Sequence, residues 1–163
     1  MKPKESHARQ LAMITRRTTH RQFAWVAGEQ TRELFGYMYG KALMDHGLDA
    51  HVAFLMSNHV HMMVYDNHGS RSSFMQQLFS NSARKRNKQI NRRENLWATE
   101  KPGDMAVLDM DACVDQVLYV CMQAVAAGLE DKAENWTGFK ILPSDWGKPM
   151  RFERPALCSD KMP

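Results

Sequence analysis

Two histidines separated by a single valine, His59-Val60-His61, interrupt the apolar stretch Met56-Ser57-Asn58-His59-Val60-His61-Met62-Met63-Val64. Side chains of an extended strand alternate faces, so both imidazoles point one way while Val60 and Met62 point the other. Neutral imidazole is the commonest protein metal ligand, and a pair on one strand face needs only one or two further donors to hold a divalent ion. The plainer reading is two histidines that satisfy hydrogen bonds, and a third donor from elsewhere in the chain would distinguish the two. Tyr119 and Gln123, four residues apart in a helical pattern, bring a phenol and a carboxamide to one side of a helix.

The elements that must position these groups can be read from periodicity. Leu11 to Thr15 reads as a short buried strand ending in Arg16-Arg17, and Thr18 to Ala27 as a loop. Apolar residues recur at helical spacing from Gln30 to Asp45, and His46-Gly47 supplies a stop. Leu48 to Met56 and His59 to Tyr65 form two strands joined tightly at Ser57-Asn58, so the histidines begin a strand directly after a hairpin turn. A helix follows from Ser70 to about Lys88, then an irregular polar segment and a short strand from Met105 to Leu108. Asp109 or Asp111 can cap one last helix over 112–127, with Val114, Val117, Leu118, Cys121, Val125 and Ala126 as its apolar stripe and Gly128 at its end. The remainder, rich in Trp, Gly and Pro, reads as ordered loop packed over the domain. This order predicts an α+β fold, a ferredoxin-like antiparallel sheet packed with helices, within a single domain over 1–163 that has a short polar N-terminus and a loop-rich C-terminal tail.

The chain has 163 residues, 44% hydrophobic and 25% charged, with a formal charge of +4. Its charges are unevenly spread. Residues 70–93 hold Arg71, Arg84, Lys85, Arg86, Lys88, Arg92 and Arg93 without an acid, whereas 104–135 hold seven acids against Lys132. Such asymmetry points to a polyanion partner on one face, the bland alternative being a solvated basic helix. Cys113, Cys121 and Cys158 show no Cys-x-x-Cys spacing, so neither a disulfide framework nor a thiolate zinc site is indicated, and a reducing compartment fits. No apolar run approaches the ~20 residues needed to span a bilayer, and no membrane partner is expected.

Met56 to Val64 resembles the His-hydrophobic-His signature of the single-tyrosine HUH transposases. Within them the chain is most similar to the REP-associated tyrosine transposases, which act on repetitive extragenic palindromes in bacterial genomes. The resemblance continues through Arg16-Arg17-Thr18-Thr19-His20-Arg21-Gln22-Phe23, Leu118-Tyr119-Val120 and Ala126-Ala127-Gly128-Leu129, then Trp136-Thr137-Gly138 and Arg151-Phe152-Glu153-Arg154-Pro155. It implies the HUH endonuclease core as the fold, His59, His61 and Gln123 as ligands of Mg²⁺ or Mn²⁺, and Tyr119 as the catalytic nucleophile. The implied activity is a metal-dependent single-stranded DNA endonuclease and strand transferase cleaving at or near palindromic hairpins through a 5′-phosphotyrosine intermediate. Where relatives usually show Asn-Pro after the tyrosine turn, this chain has Gln123-Ala124, which keeps an amide oxygen but removes a helix-bending ring.

The same resemblance makes single-stranded DNA with a hairpin or palindrome the partner and the bacterial cytoplasm, at the nucleoid, the location, with monomer and homodimer both open. Arg16, Arg17, Arg21, Arg84, Lys85, Arg86, Arg92 and Arg93 are the candidate DNA contacts, and Trp25 and Trp97 candidate stacking platforms for bases. The alternative is a domesticated protein that grips such hairpins without cutting them. A barrel hydrolase using His59 and His61 for zinc needs roughly 250 residues and more acidic or histidine ligands. A cupin-like site is argued against by the helical stripes at 30–45 and 112–127.

Overall fold

The computed structural model describes residues 7–159. Its elements are β1 (Gln10–Arg17), α1 (Glu29–His46), β2 (Leu48–Leu55), β3 (His59–Asp66), α2 (Arg71–Gln89), β4 (Gly103–Ala106), α3 (Met110–Cys121), α4 (Gln123–Ala126) and β5 (Lys140–Ile141), with 3₁₀ turns between some of them. The five strands form one sheet in the order β4-β1-β3-β2-β5, every adjacent pair antiparallel. The first four strands have the ferredoxin-like order and β5 adds an edge, so the fold is α+β as the sequence predicts. Among the described residues no helix is long and apolar enough to cross a membrane.

The central strand β3 carries two opposite faces of different character. Val60, Met62 and Val64 join Ile14 of β1 and the buried side of α1 and α2 in a core rich in aromatics, among them Trp25, Phe35, Tyr39, Phe74 and Phe139. Met63 and Met13 point to the other side and meet Val52, Phe54, Met56, Val120, Cys121 and Ala124 beneath α3 and α4. Period-two alternation thus sends His59 and His61 to the α3 face along with Met63.

Several helix ends follow from identifiable residues. Gly47 adopts a left-handed conformation (φ 66°) and returns its N–H to the Leu43 carbonyl, closing α1. The α2 N-terminus is satisfied from a distance: Asp66, buried at the end of β3, accepts from the N–H groups of His68, Gly69, Ser70 and Arg71. Its charge is balanced by Arg71, which also reaches Asp104 at 2.8 Å and so ties β4 to the sheet edge. Asp109 rather than Asp111 caps α3, accepting from the Ala112 N–H at 2.8 Å.

Three sequence expectations need correction. The final helix breaks at Met122 (φ −90°, ψ 9°) instead of running continuously over 112–127. At this break the Gln123 side chain takes the Tyr119 carbonyl, the acceptor its own backbone N–H would use in an unbroken helix. The helix is also rotated from the expected stripe: Val120, Cys121 and Ala124 are buried, whereas Val114 and Leu118 are 51% and 57% exposed. Asp111 and Asp115, four residues apart, mark the outer side of α3, and the expected stripe placed Val114 and Leu118, which lie beside them, on the inner side. Finally, the tail contributes β5, whose two residues pair with Ala53 and Phe54 of β2.

Candidate active site

The hairpin turn before His59 is held by the loop that follows β1. Thr18, itself buried, binds the Asn58 carbonyl through its backbone N–H (2.8 Å), and the Trp25 N–H binds the Ser57 carbonyl (2.9 Å). The loop passes through two successive non-glycine residues in the left-handed region, His20 (φ 52°) and Arg21 (φ 54°), conformations that cost energy and concentrate at functional sites. The Arg21 carbonyl meets the Asn58 side-chain N–H at 3.4 Å. The turn and the first histidine are thereby fixed from two sides.

On the α3 face the four candidate residues converge. The ring of His61 lies 4.8 Å from that of His59 and 5.1 Å from that of Tyr119, nearly perpendicular to both. Gln123 Oε1 stands 3.1 Å from His59 Nε2, while its amide nitrogen donates to the Tyr119 carbonyl at 2.8 Å. The other ring nitrogen of His59, Nδ1, is 2.6 Å from Asn58 Oδ1. Tyr119 is 53% exposed, so the phenol borders solvent beside the buried His61.

The surroundings favour the neutral form of both imidazoles. Burial pushes the His61 pKa down to about 4, and the neighbouring His59 and Arg17 charges act in the same direction. Burial also lowers that of His59, with Arg17 and Arg21 adding to the effect and the Gln123 contact opposing it. A neutral imidazole has one N–H, yet both ring nitrogens of His59 face amide oxygens. One nitrogen lone pair therefore points at an oxygen whichever tautomer forms. The buried Nδ1 of His61 finds no hydrogen-bond partner among the described residues. Converging lone pairs of nitrogen and amide oxygen are what a cation satisfies, so the donor set fits a divalent metal. Among the described residues no three His, Cys, Asp or Glu side chains gather for a metal; the set here is two imidazoles and one carboxamide.

The candidate DNA contacts separate into different environments. Arg17 pairs with His59 across β1 and β3, as Thr15 does with His61, so Arg17 lies on the same sheet face as the histidines and is exposed. Arg21 is exposed on the adjoining loop. Arg16 turns to the opposite face, where its guanidinium lies 5.2 Å over the Phe79 ring and donates to the Ala98 carbonyl. Arg84 and Lys85 lie on the outer side of α2, and Arg92 and Arg93 on the segment after it. Arg92 is held by Gln22 and the Asn95 carbonyl, while Arg93 is exposed.

Arg86 is a correction. It is 8% exposed, donates to the Ala24 carbonyl at 2.6 Å and to Gln89, and lies 5.4 Å over Trp25, so it belongs to the core. Trp25 and Trp97 are likewise not platforms for bases: they are 0% and 5% exposed and stack on each other with centroids 5.9 Å apart. A polar loop around them disguised two core tryptophans. The residue that sequence reasoning passed over is Asn58, assigned only to the turn. An amide side chain immediately before the first histidine was the available signal, since imidazoles that bind metal commonly give their second nitrogen to such a group.

No family model matches the chain, and no curated protein matches it in sequence. Among solved structures it is similar to a REP-associated tyrosine transposase bound to a REP hairpin, with a TM-score of 0.72 and 12% identity over 91% of this chain and 86% of that one. It is also similar to a candidate transposase from Deinococcus radiodurans, with a TM-score of 0.50 and 16% identity over 80% of this chain and 98% of that one. At these identities the likeness is one of fold.

Proposed function

We propose that this chain, which shares the fold of a REP-associated tyrosine transposase, is a metal-dependent single-strand DNA endonuclease and strand transferase acting beside palindromic hairpins. The observation that carries the reading is the meeting of Tyr119 and Gln123 with His59 and His61, the His59–Gln123 contact joining residues 64 positions apart in the chain. His59, His61 and Gln123 would hold Mg²⁺ or Mn²⁺, which supplies Lewis-acid polarisation of a phosphodiester.

Each residue then has a physical task. Burial favours the unprotonated imidazoles, the form whose ring nitrogen can act as a ligand. Asn58 orients the His59 ring through Nδ1, and the Gln123 amide is aimed by its bond to the Tyr119 carbonyl. That last contact also couples the position of the nucleophile to the ligand set. Arg17 and Arg21 bring positive charge beside the histidines, where a phosphate would lie. The Tyr119 oxygen attacks phosphorus, the bond from phosphorus to the 3′ oxygen breaks, and that oxygen takes up a proton. The phenol proton leaves to solvent, which the half-exposed ring reaches. The 5′-phosphotyrosine link retains the diester for rejoining to another 3′-hydroxyl.

The test uses 5′- and 3′-labelled single-stranded oligonucleotides carrying a palindrome, incubated with the full chain and Mn²⁺ or Mg²⁺. A denaturation-resistant protein–DNA adduct is expected, absent with EDTA and absent in Tyr119→Phe. Asn58→Ala should weaken metal affinity by about 10- to 100-fold while leaving Tyr119 in place. Hairpin binding with no adduct under any metal would overturn the nuclease reading in favour of a protein that only grips DNA.

A further inference from the structure

On the α1–α2 side of the sheet a groove of about 1920 Å³ runs between the two helices and the C-terminal tail, and none of His59, His61, Tyr119 or Gln123 lines it. Seven lysines and arginines line it against three carboxylates, and although Lys41 is paired with Asp45 the remaining excess gives the cleft a positive field. Arg84 and Lys85 come from α2, Lys148 and Arg151 from the tail. The tail is seated by Phe152, which packs where α1 has no side chain: a Cβ on Gly36 would lie 2.3 Å from the Phe152 ring.

Within this basic cleft stands Trp146, 51% exposed. Its indole N–H donates to the His51 carbonyl at 2.6 Å, and its ring meets the His51 ring edge-on. His51 is the residue passed over where the β2–β3 register shifts between Ala50 and Val52, so the irregularity in β2 frees the carbonyl that anchors the indole. The other three tryptophans are 0–6% exposed. A large aromatic ring fixed by its polar edge, with half its surface bare in a groove that cations also line, has the form of a stacking platform for a base.

We infer that this groove is a second nucleic-acid surface, distinct from the histidine–tyrosine site, which holds single-stranded DNA with its phosphates on Arg84, Lys85, Lys148 and Arg151 and a base stacked on Trp146. The choice of DNA over another polyanion rests on the nucleic-acid reading above, and on the ring: cations alone would suit any polyanion, whereas a flat platform among them suits alternating phosphate and base.

Trp146 is the one exposed tryptophan of the four, so the difference in intrinsic fluorescence between the chain and Trp146→Ala reports on it. Titrating the full chain in EDTA with a mixed-sequence single-stranded oligonucleotide should quench that emission. Trp146→Ala should lose the quench and weaken binding about tenfold, while Trp146→Phe retains most of the affinity. Arg84→Ala/Lys85→Ala/Arg151→Ala should lower the slope of log affinity against log salt by about 2. Circular dichroism melting checks that each variant is folded. Wild-type affinity and salt slope in both the Trp146→Ala and the triple variants would overturn the inference, as would equal displacement of the oligonucleotide by polyglutamate. The adduct assay is a separate readout: adduct formation with an inert groove sinks this inference alone, and groove-dependent binding without adduct sinks the nuclease reading alone.

Discussion

The two faces of the sheet are built to different standards. Against one, α1 and α2 lay 18- and 19-residue helices over a continuous aromatic core, with Phe35 and Phe139 centroids 5.1 Å apart and Tyr39 packed on both Phe74 and Phe139. Against the other, the 12-residue α3 and the four-residue α4 bury only Val120, Cys121 and Ala124 and leave Val114, Leu118 and Tyr119 more than half exposed. The first face supplies most of the buried core and the second carries the candidate site. Tyr119, the proposed nucleophile, sits on the lightly packed helix, while His59 and His61 sit on the central strand that the other face makes rigid. Elements with few buried contacts open at low free energy, and functional segments are drawn from them.

Substitutions on each face should separate these roles. Phe35→Ala, in the middle of the aromatic cluster, should cost about 3–5 kcal/mol in chemical denaturation, the usual range for an emptied core phenylalanine site. A loss below about 1 kcal/mol would mean the α1 face is not the main source of stability.

Alkali should weaken the same face through Tyr39. Its hydroxyl is buried without a hydrogen-bond partner among the described residues, and burial raises its pKa. Above pH ~10 the unfolded chain ionises this phenol while the folded chain holds its proton. Stability is therefore intact below pH 10 and should fall by up to about 1.4 kcal/mol per pH unit above it. Tyr39→Phe should remove that contribution and be neutral or stabilising at pH 7, since it deletes an unsatisfied polar group. An unchanged alkaline slope in Tyr39→Phe would refute the assignment.

On the site face the effects should be smaller. Asp109→Ala removes the α3 cap and should cost about 1 kcal/mol, with faster amide hydrogen exchange in α3 than in α1. Equal protection of the two helices would contradict the comparison. Leu118→Lys, on the exposed side of the same helix, should change stability by less than about 0.5 kcal/mol. A penalty above 2 kcal/mol would show that this side is covered in solution.

Much of the arrangement was legible before any coordinates. Strand alternation put His59 and His61 on one face, helical spacing put Tyr119 over Gln123, and Asp109, Gly47 and the Ser57-Asn58 turn marked boundaries close to where they fall. These are local rules, set by backbone geometry within a few residues. Two kinds of feature were not local. The rotation of α3 depended on which of its apolar residues met Val52, Phe54 and Met63, because apolar side chains also flank Asp111 and Asp115 on its outer side. The fates of Trp25, Trp97 and Arg86 depended on α2 folding back over the loop after β1, which turned a polar segment into core. The cap of α2 was local but missed: Asp66 accepts from the N–H groups of His68, Gly69, Ser70 and Arg71, and such a contact leaves no mark in helical periodicity.

For the two histidines, the amino-acid sequence by itself determined that they share a strand face, because the side-chain period of an extended backbone is two. Only the tertiary structure decided that Gln123 and Tyr119 stand against them and that Asn58 and Arg17 flank them. Those partners arrive from other strands, turns and helices, and their meeting depends on the register of β1 with β3 and on the packing of α3, long-range interactions that no short stretch of sequence contains.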